Sequence, residues 1–231
     1  TLDRAMRVIE ILIDRKPGIP YSKDNPLVVE LDKGEHQITS SWNGLQRTFG
    51  ITRSNIKFLG KGKETTTILG GFGIENFENI TFKNMTVTNT SDGGRGIYMS
   101  NAKVELFDVA LKGCTGSGLF ISRSTSATTV VATRCEFANS RYGAVVYGSL
   151  TSATFNNCVF HDNNEDGILT SGSTTHLHGE ATAVHSNGSR GIFAMFSSKV
   201  IIHLPSNHNT TYNNTGEDRE TYSGGTITNV E

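Results

Sequence analysis

Residues 161–170 read HDNNEDGILT, and 24 residues later, at 185–194, the chain reads HSNGSRGIFA. Each copy has a histidine, a polar turn with an asparagine, a glycine and an aliphatic residue. The glycine–apolar pair anchors a longer series: Gly73-Ile74, Gly96-Ile97, Gly118-Leu119, Gly143-Ala144, Gly167-Ile168 and Gly191-Ile192, at steps of 23, 22, 25, 24 and 24 residues. A constant period of this size is the mark of a solenoid.

Each period holds three short stretches of alternating apolar residues. Behind the glycine come the pairs Ile97/Met99, Leu119/Ile121, Ala144/Val146, Ile168/Thr170 and Ile192/Ala194. The second stretch holds Ile80/Phe82, Val104/Leu106, Val130/Ala132 and Ala153/Phe155. The third holds Met85/Val87, Val109/Leu111, Cys135/Phe137, Cys158/Phe160 and Ala181/Ala183. Alternation with period two buries one face of a strand. Three such strands cannot bury their inner faces alone, but stacked coils build one continuous core. The expected fold is therefore all-β, a parallel β-helix of about eight coils of 22–25 residues. Asn139, Asn163 and Asn187 each lie four residues before a glycine, so stacked asparagine side chains are expected in the turns.

The ends differ from the repeat. Leu2, Ala5, Met6, Ile9, Leu12 and Ile13 follow helical spacing, so residues 1–16 are expected to form an amphipathic helix capping the first coil. Pro17, Gly18 and Pro20 break it. Coils are expected over 27–204, and 205–231 is read as a polar excursion followed by a last strand. The whole of 1–231 is one domain.

Composition narrows the function. The 21 Lys and Arg nearly balance the 22 Asp and Glu, which argues against a general nucleic-acid binder or an anionic-membrane binder. No apolar run approaches the ~20 residues of a membrane span. Cys114, Cys135 and Cys158 are odd in number and lack CxxC spacing, so neither a disulfide framework nor a zinc signature is read from them. No cofactor and no metal are expected. In THLHGE the residues His176, His178 and Glu180 fall together, with His203 one coil later. If Leu177 points inward, both histidines point out; a zinc site is conceivable there, but a metal-free reading is preferred. His161 and His185 align as solvated turn histidines.

The segments NIKFLGKGKETTTILGGF (55–72) and ENITFKNMTVTNT (78–90), with the periodic glycine turns, resemble right-handed parallel β-helix proteins of the pectin-lyase-like superfamily, the early coils being similar to pectin methylesterases. The resemblance implies a right-handed helix. It also implies a polysaccharide groove along the outer face of the strand that follows the glycine. The outward residues there are Tyr98, Phe120, Val145, Leu169 and Phe193, an apolar column where a solvated strand would carry polar groups. Beside it runs Arg95, Ser117, Tyr142, Asp166 and Arg190. Asp166 and Arg190 fall in adjacent coils, where they form either a cross-strand ion pair or a polar rim that binds uronates or sulfates.

The catalytic motifs of the family's esterases, polygalacturonases and epimerases are not matched. The preferred reading is a non-catalytic polysaccharide-binding or surface-interaction module using Tyr98, Phe120, Leu169, Phe193, Arg95, Tyr142, Asp166 and Arg190. The alternatives are a polysaccharide lyase or epimerase, with Asp166, Arg190 and Tyr142 as candidate catalytic residues, and a structural protein-interaction solenoid. The partner is a polysaccharide or a protein held by the apolar face, and an oligomer is compatible with it. An extracellular, cell-surface or virion-surface location is preferred to a cytoplasmic one.

Overall fold

The computed structural model describes residues 1–14, 21–203 and 210–231, with the side chains of 10–14 excepted. Two stacks of parallel strands wind around one core. One sheet has eight strands, from Thr48–Gly50 through Gly71–Glu75, Ile97–Ser100, Ser117–Ile121, Tyr142–Tyr147, Ile168–Ser171 and Ile192–Met195 to Arg219–Tyr222. The other has fifteen and supplies the remaining two sides of each coil. Eight strands in one stack bracket about seven turns, one fewer than the eight coils expected.

The alternation rule places the core well. Leu119 pairs with Ile97 and with Ala144, Ala144 with Ile168, and Ile168 with Ile192, all fully buried. Phenylalanines fill the wider part of the lumen. Phe58, Phe72 and Phe82 pack at 4.7–5.3 Å between ring centroids, and Phe137 stacks on Phe160 at 4.5 Å. Cys135 and Cys158 are buried free thiols at matching inward positions. In two coils the second and third strands fuse into Ile80–Thr88 and Lys103–Lys112, which bend at the left-handed residues Asn84 and Asp108.

Four expectations are corrected. Phe72, not Ile74, pairs with Ile97, so the first anchor glycine is Gly71; Gly73 sits two residues later on the outer face. In the coil after Thr174–His178 the inward residues are Thr182 and Val184 rather than Ala181 and Ala183. The register grows from 22 (Asn156 to His178) to 24 (Val159 to Ala183), so Glu180 and Ala181 bulge out at the corner. The asparagine ladder runs through Asn163, Asn187 and Asn214, with Nδ2 to Oδ1 distances of 2.9 and 2.8 Å, while Ser140 takes its place in the coil before. Asn139 lies one residue off, exposed, at a φ of 51°.

Residues 210–231 are the fourth. They form a further turn instead of an excursion, with Tyr212 paired to His185, Arg219 to Ile192 and Thr226 to Lys199. Its residues are mostly polar and only partly buried or exposed. Arg219, paired with inward Ile192, bonds Thr211 Oγ1 and Asn229 Oδ1. At the other end the helix Leu2–Asp14 buries Leu2 and Met6 over the first coil, and Asp3 accepts a bond from Thr39 Oγ1 at 3.0 Å. The break at Pro17, Gly18 and Pro20 lies outside the described residues.

Candidate functional site: an aromatic shelf on the eight-stranded sheet

The outer face of the eight-stranded sheet carries one column in register: Gly73, Tyr98, Phe120, Val145, Leu169, Phe193 and Glu220. All five residues expected on this face lie on it. They are not equally open. Val145, Leu169 and Phe193 are buried in a satellite cluster against which Phe120, Tyr142, Tyr147 and Met195 pack; Phe120 and, beyond the cluster, Tyr98 are only partly buried. Tyr98 stacks on Phe120 at 5.7 Å and 10°, and Tyr147 meets Phe120 edge-on.

Trp42 extends the shelf and was not singled out by sequence reasoning. It is anchored by backbone bonds to Leu45 in a tight loop, and its ring lies 5.6 Å from Tyr98. It rests on Gly50 and Gly73, neighbours in the column; a Cβ at either would approach the indole to 2.1–2.2 Å. The ring thus fills the place of two missing side chains. Its sequence signal is negative: two glycines at column positions, which ask for a cover.

The second column separates its two arginines. Arg190 is clamped. Its Nε and Nη2 donate to the two carboxylate oxygens of Asp166 at 2.8 and 3.0 Å, its backbone N–H adds a third bond at 3.0 Å, and Glu220 stands 3.7 Å away. Asp166 is fully buried beneath it. Burial works against the Arg190 cation, but the Asp166 carboxylate and Glu220 outweigh it and hold its pKa above the ordinary value. The guanidinium also covers Phe193 at 3.6 Å. Asp166 and Arg190 therefore satisfy each other, and the Asp166 carboxylate has no open face. Tyr142 is half-buried in the satellite cluster, with Arg141 over its ring at 5.4 Å.

Arg95 has no such clamp. Its guanidinium lies 3.9 Å over Phe120 and 5.3 Å from the centre of Tyr98, and no carboxylate pairs with it among the described residues. Burial lowers its pKa, opposed by the Tyr98 and Tyr147 phenols. An unneutralised cation on an aromatic shelf can take an anion that also presents a flat apolar face.

Other clusters lie elsewhere. His161 stacks on His185 at 5.4 Å, and His185 on Tyr212 at 4.8 Å. Leu177 does point inward, and His176, His178 and His203 converge on the outside of the fifteen-stranded sheet. Burial, and after it the charge of His203, lowers the pKa of both His176 and His178. No described helix is long and apolar enough to cross a membrane.

No curated protein matches this sequence. Among solved structures it is similar to ORF18 of Geobacillus virus E2, with a TM-score of 0.43 and 11% identity over 96% of this chain; it spans 55% of that viral protein. It is also similar to the A-modules of two Azotobacter vinelandii mannuronan C-5 epimerases. The AlgE6 module gives a TM-score of 0.31 at 14% identity, over 90% of this chain and 80% of the module. The AlgE4 module gives 0.25 at 11%, over 90% of each. The right-handed β-helix region family matches residues 70–230, most of the repeat array, and the chain belongs to that family.

Proposed function

We propose that this β-helix is a binding module for an acidic polysaccharide, held along the open part of the shelf formed by Trp42, Tyr98 and Phe120. The observation that carries this reading is Arg95, a partly desolvated cation without a carboxylate partner among the described residues, lying over two partly buried rings. The flat faces stack on pyranose rings and the guanidinium takes a carboxylate or sulfate in bidentate fashion.

The test is calorimetric titration with oligosaccharides of galacturonate and mannuronate and with a neutral glucan. Acidic ligands are expected to bind, with Arg95→Gln weakening them at least tenfold and Phe120→Ala weakening acidic and neutral sugars alike. Absence of binding to any acidic glycan, or binding indifferent to both substitutions, defeats the proposal. Appearance of unsaturated uronate absorbance would move the protein to the lyase class. A dimer lost on Phe120→Ser, with no glycan bound, would make the shelf a protein interface.

A further inference from the structure

On the fifteen-stranded sheet, away from the shelf, three imidazoles meet. His176 and His178 are two residues apart on Thr174–His178, and buried Leu177 between them turns both rings outward. The strand Lys199–His203 of the next coil pairs with it, Leu177 against Ile202, so His203 arrives beside His178. His176 Nδ1 and His203 Nε2 are 2.9 Å apart, and the His178 and His203 rings stack at 3.8 Å. One ring nitrogen from each residue lies within 4.8 Å of the other two, and all three side chains are half-buried.

The fold does not call for histidine at these places. The same outward positions carry Thr154 and Asn156 in the coil before, and Thr228 and Val230 in the coil after. Three imidazoles crowded into a partly desolvated spot repel once they take up protons, and they gain when a cation accepts their lone pairs. A tetrahedral ion bound at about 2.0–2.1 Å to each nitrogen sets the nitrogens about 3.4 Å apart. The close pair opens by a few tenths of an ångström to meet this. His178, only partly buried, leaves its stack by rotation about its side-chain bonds.

We propose that His176, His178 and His203 form a site for one divalent transition-metal ion of the zinc type. An all-imidazole set suits zinc, nickel or copper and not calcium or magnesium, which take oxygen ligands. Three protein ligands leave a fourth position for water or an anionic oxygen. The ion joins two adjacent coils near the C-terminal end, so its binding stabilises that end by mass action. The site shares no residue with the polysaccharide shelf and stands or falls independently of it.

The experiment titrates the full chain, stripped with a chelator, with Zn²⁺ by calorimetry and with Co²⁺ by visible absorption. One ion per chain is expected, with a tetrahedral Co²⁺ band and a Tm that rises with Zn²⁺. His178→Ala and His203→Ala each weaken Zn²⁺ binding at least tenfold, and His185→Ala, outside the trio, leaves it unchanged. Circular dichroism checks that the variants fold. If they do not, the wild-type Co²⁺ spectrum decides: a tetrahedral band supports the site and its absence overturns it. No saturable Zn²⁺ binding to the wild type, or equal affinity in folded His178→Ala and His203→Ala, also overturns it.

Discussion

Truncating Arg190 separates the structural duty of the second column from any ligand-binding duty. The Asp166 carboxylate is wholly buried and takes three bonds from Arg190, two of them from the guanidinium. Arg190→Ala leaves a buried charge with one backbone donor. Removing one half of a buried pair costs ~3–5 kcal/mol. The Arg190 side chain is 24% exposed, so water reaches the truncated site, and the lower end of that range applies.

The expected loss for Arg190→Ala is therefore about 3 kcal/mol. Asp166→Ala costs less, about 2 kcal/mol, because Arg190 keeps Glu220 and solvent. The double variant should lose about 3 rather than 5 kcal/mol, a coupling of about 2 kcal/mol. Urea unfolding followed by circular dichroism measures this, with fluorescence of Trp42, the only tryptophan, as a second probe that must give the same transition. A coupling under about 0.5 kcal/mol would refute the clamp and return Asp166 and Arg190 to the list of groups held for a ligand.

Three further outcomes follow from the packing. Asn187→Ala strips partners from Asn163, Asn214 and the Phe160 carbonyl and should cost about 2–4 kcal/mol, whereas Asn139→Gly, at an exposed left-handed position, should change stability by under about 0.5 kcal/mol; equal effects in urea melts would deny the ladder. Gly73→Ala drives a Cβ into the indole, so Trp42 fluorescence should shift to the red while stability falls by about 1–3 kcal/mol, and an unchanged spectrum would remove Trp42 from the shelf. The bond to Glu136, helped by Asp162 and opposed by burial, raises the His161 pKa, so its contribution is complete below the unfolded value of about 6.5 and is lost as pH rises through the folded value; His161→Gln should lower Tm more at pH ~5.5 than at pH ~9, and the reverse order would contradict the pairing.

The repeat, the inner faces and the outward column were legible because period-two burial writes itself directly into residue type. Two of the failures, the displaced inward set and the misplaced Asn139, share one cause: corners. A strand tolerates no extra residue without turning its side chains over, but a corner absorbs one or two at little cost. Glu180 and Ala181 are such a pair, and they moved the inward set from Ala181 and Ala183 to Thr182 and Val184. Counting back from the glycine likewise put Asn139 in the ladder, where Ser140 stands. The last turn was hidden because its residues are mostly polar and carry little apolar alternation to read. Trp42 was hidden because its partners are glycines, which carry no pattern of their own.

These features polarise the shelf along the helix axis, and that fixes the length of ligand it suits. Toward the C-terminal end the column is buried, and Arg190 is spent on Asp166 and Glu220. Toward the N-terminal end Trp42, Tyr98 and Phe120 are only partly buried, with Arg95 over Phe120 and Tyr98. The open part spans the column positions of Gly50, Gly73, Tyr98 and Phe120, three intervals of about 4.8 Å, or roughly 14 Å. Affinity for acidic oligosaccharides should therefore rise with length until a ligand covers that distance and then level off. A rise that continues until the ligand spans all eight strands, roughly 34 Å, would mean that the buried half of the column opens to bind, and the division between a clamped and a receptive arginine would be wrong.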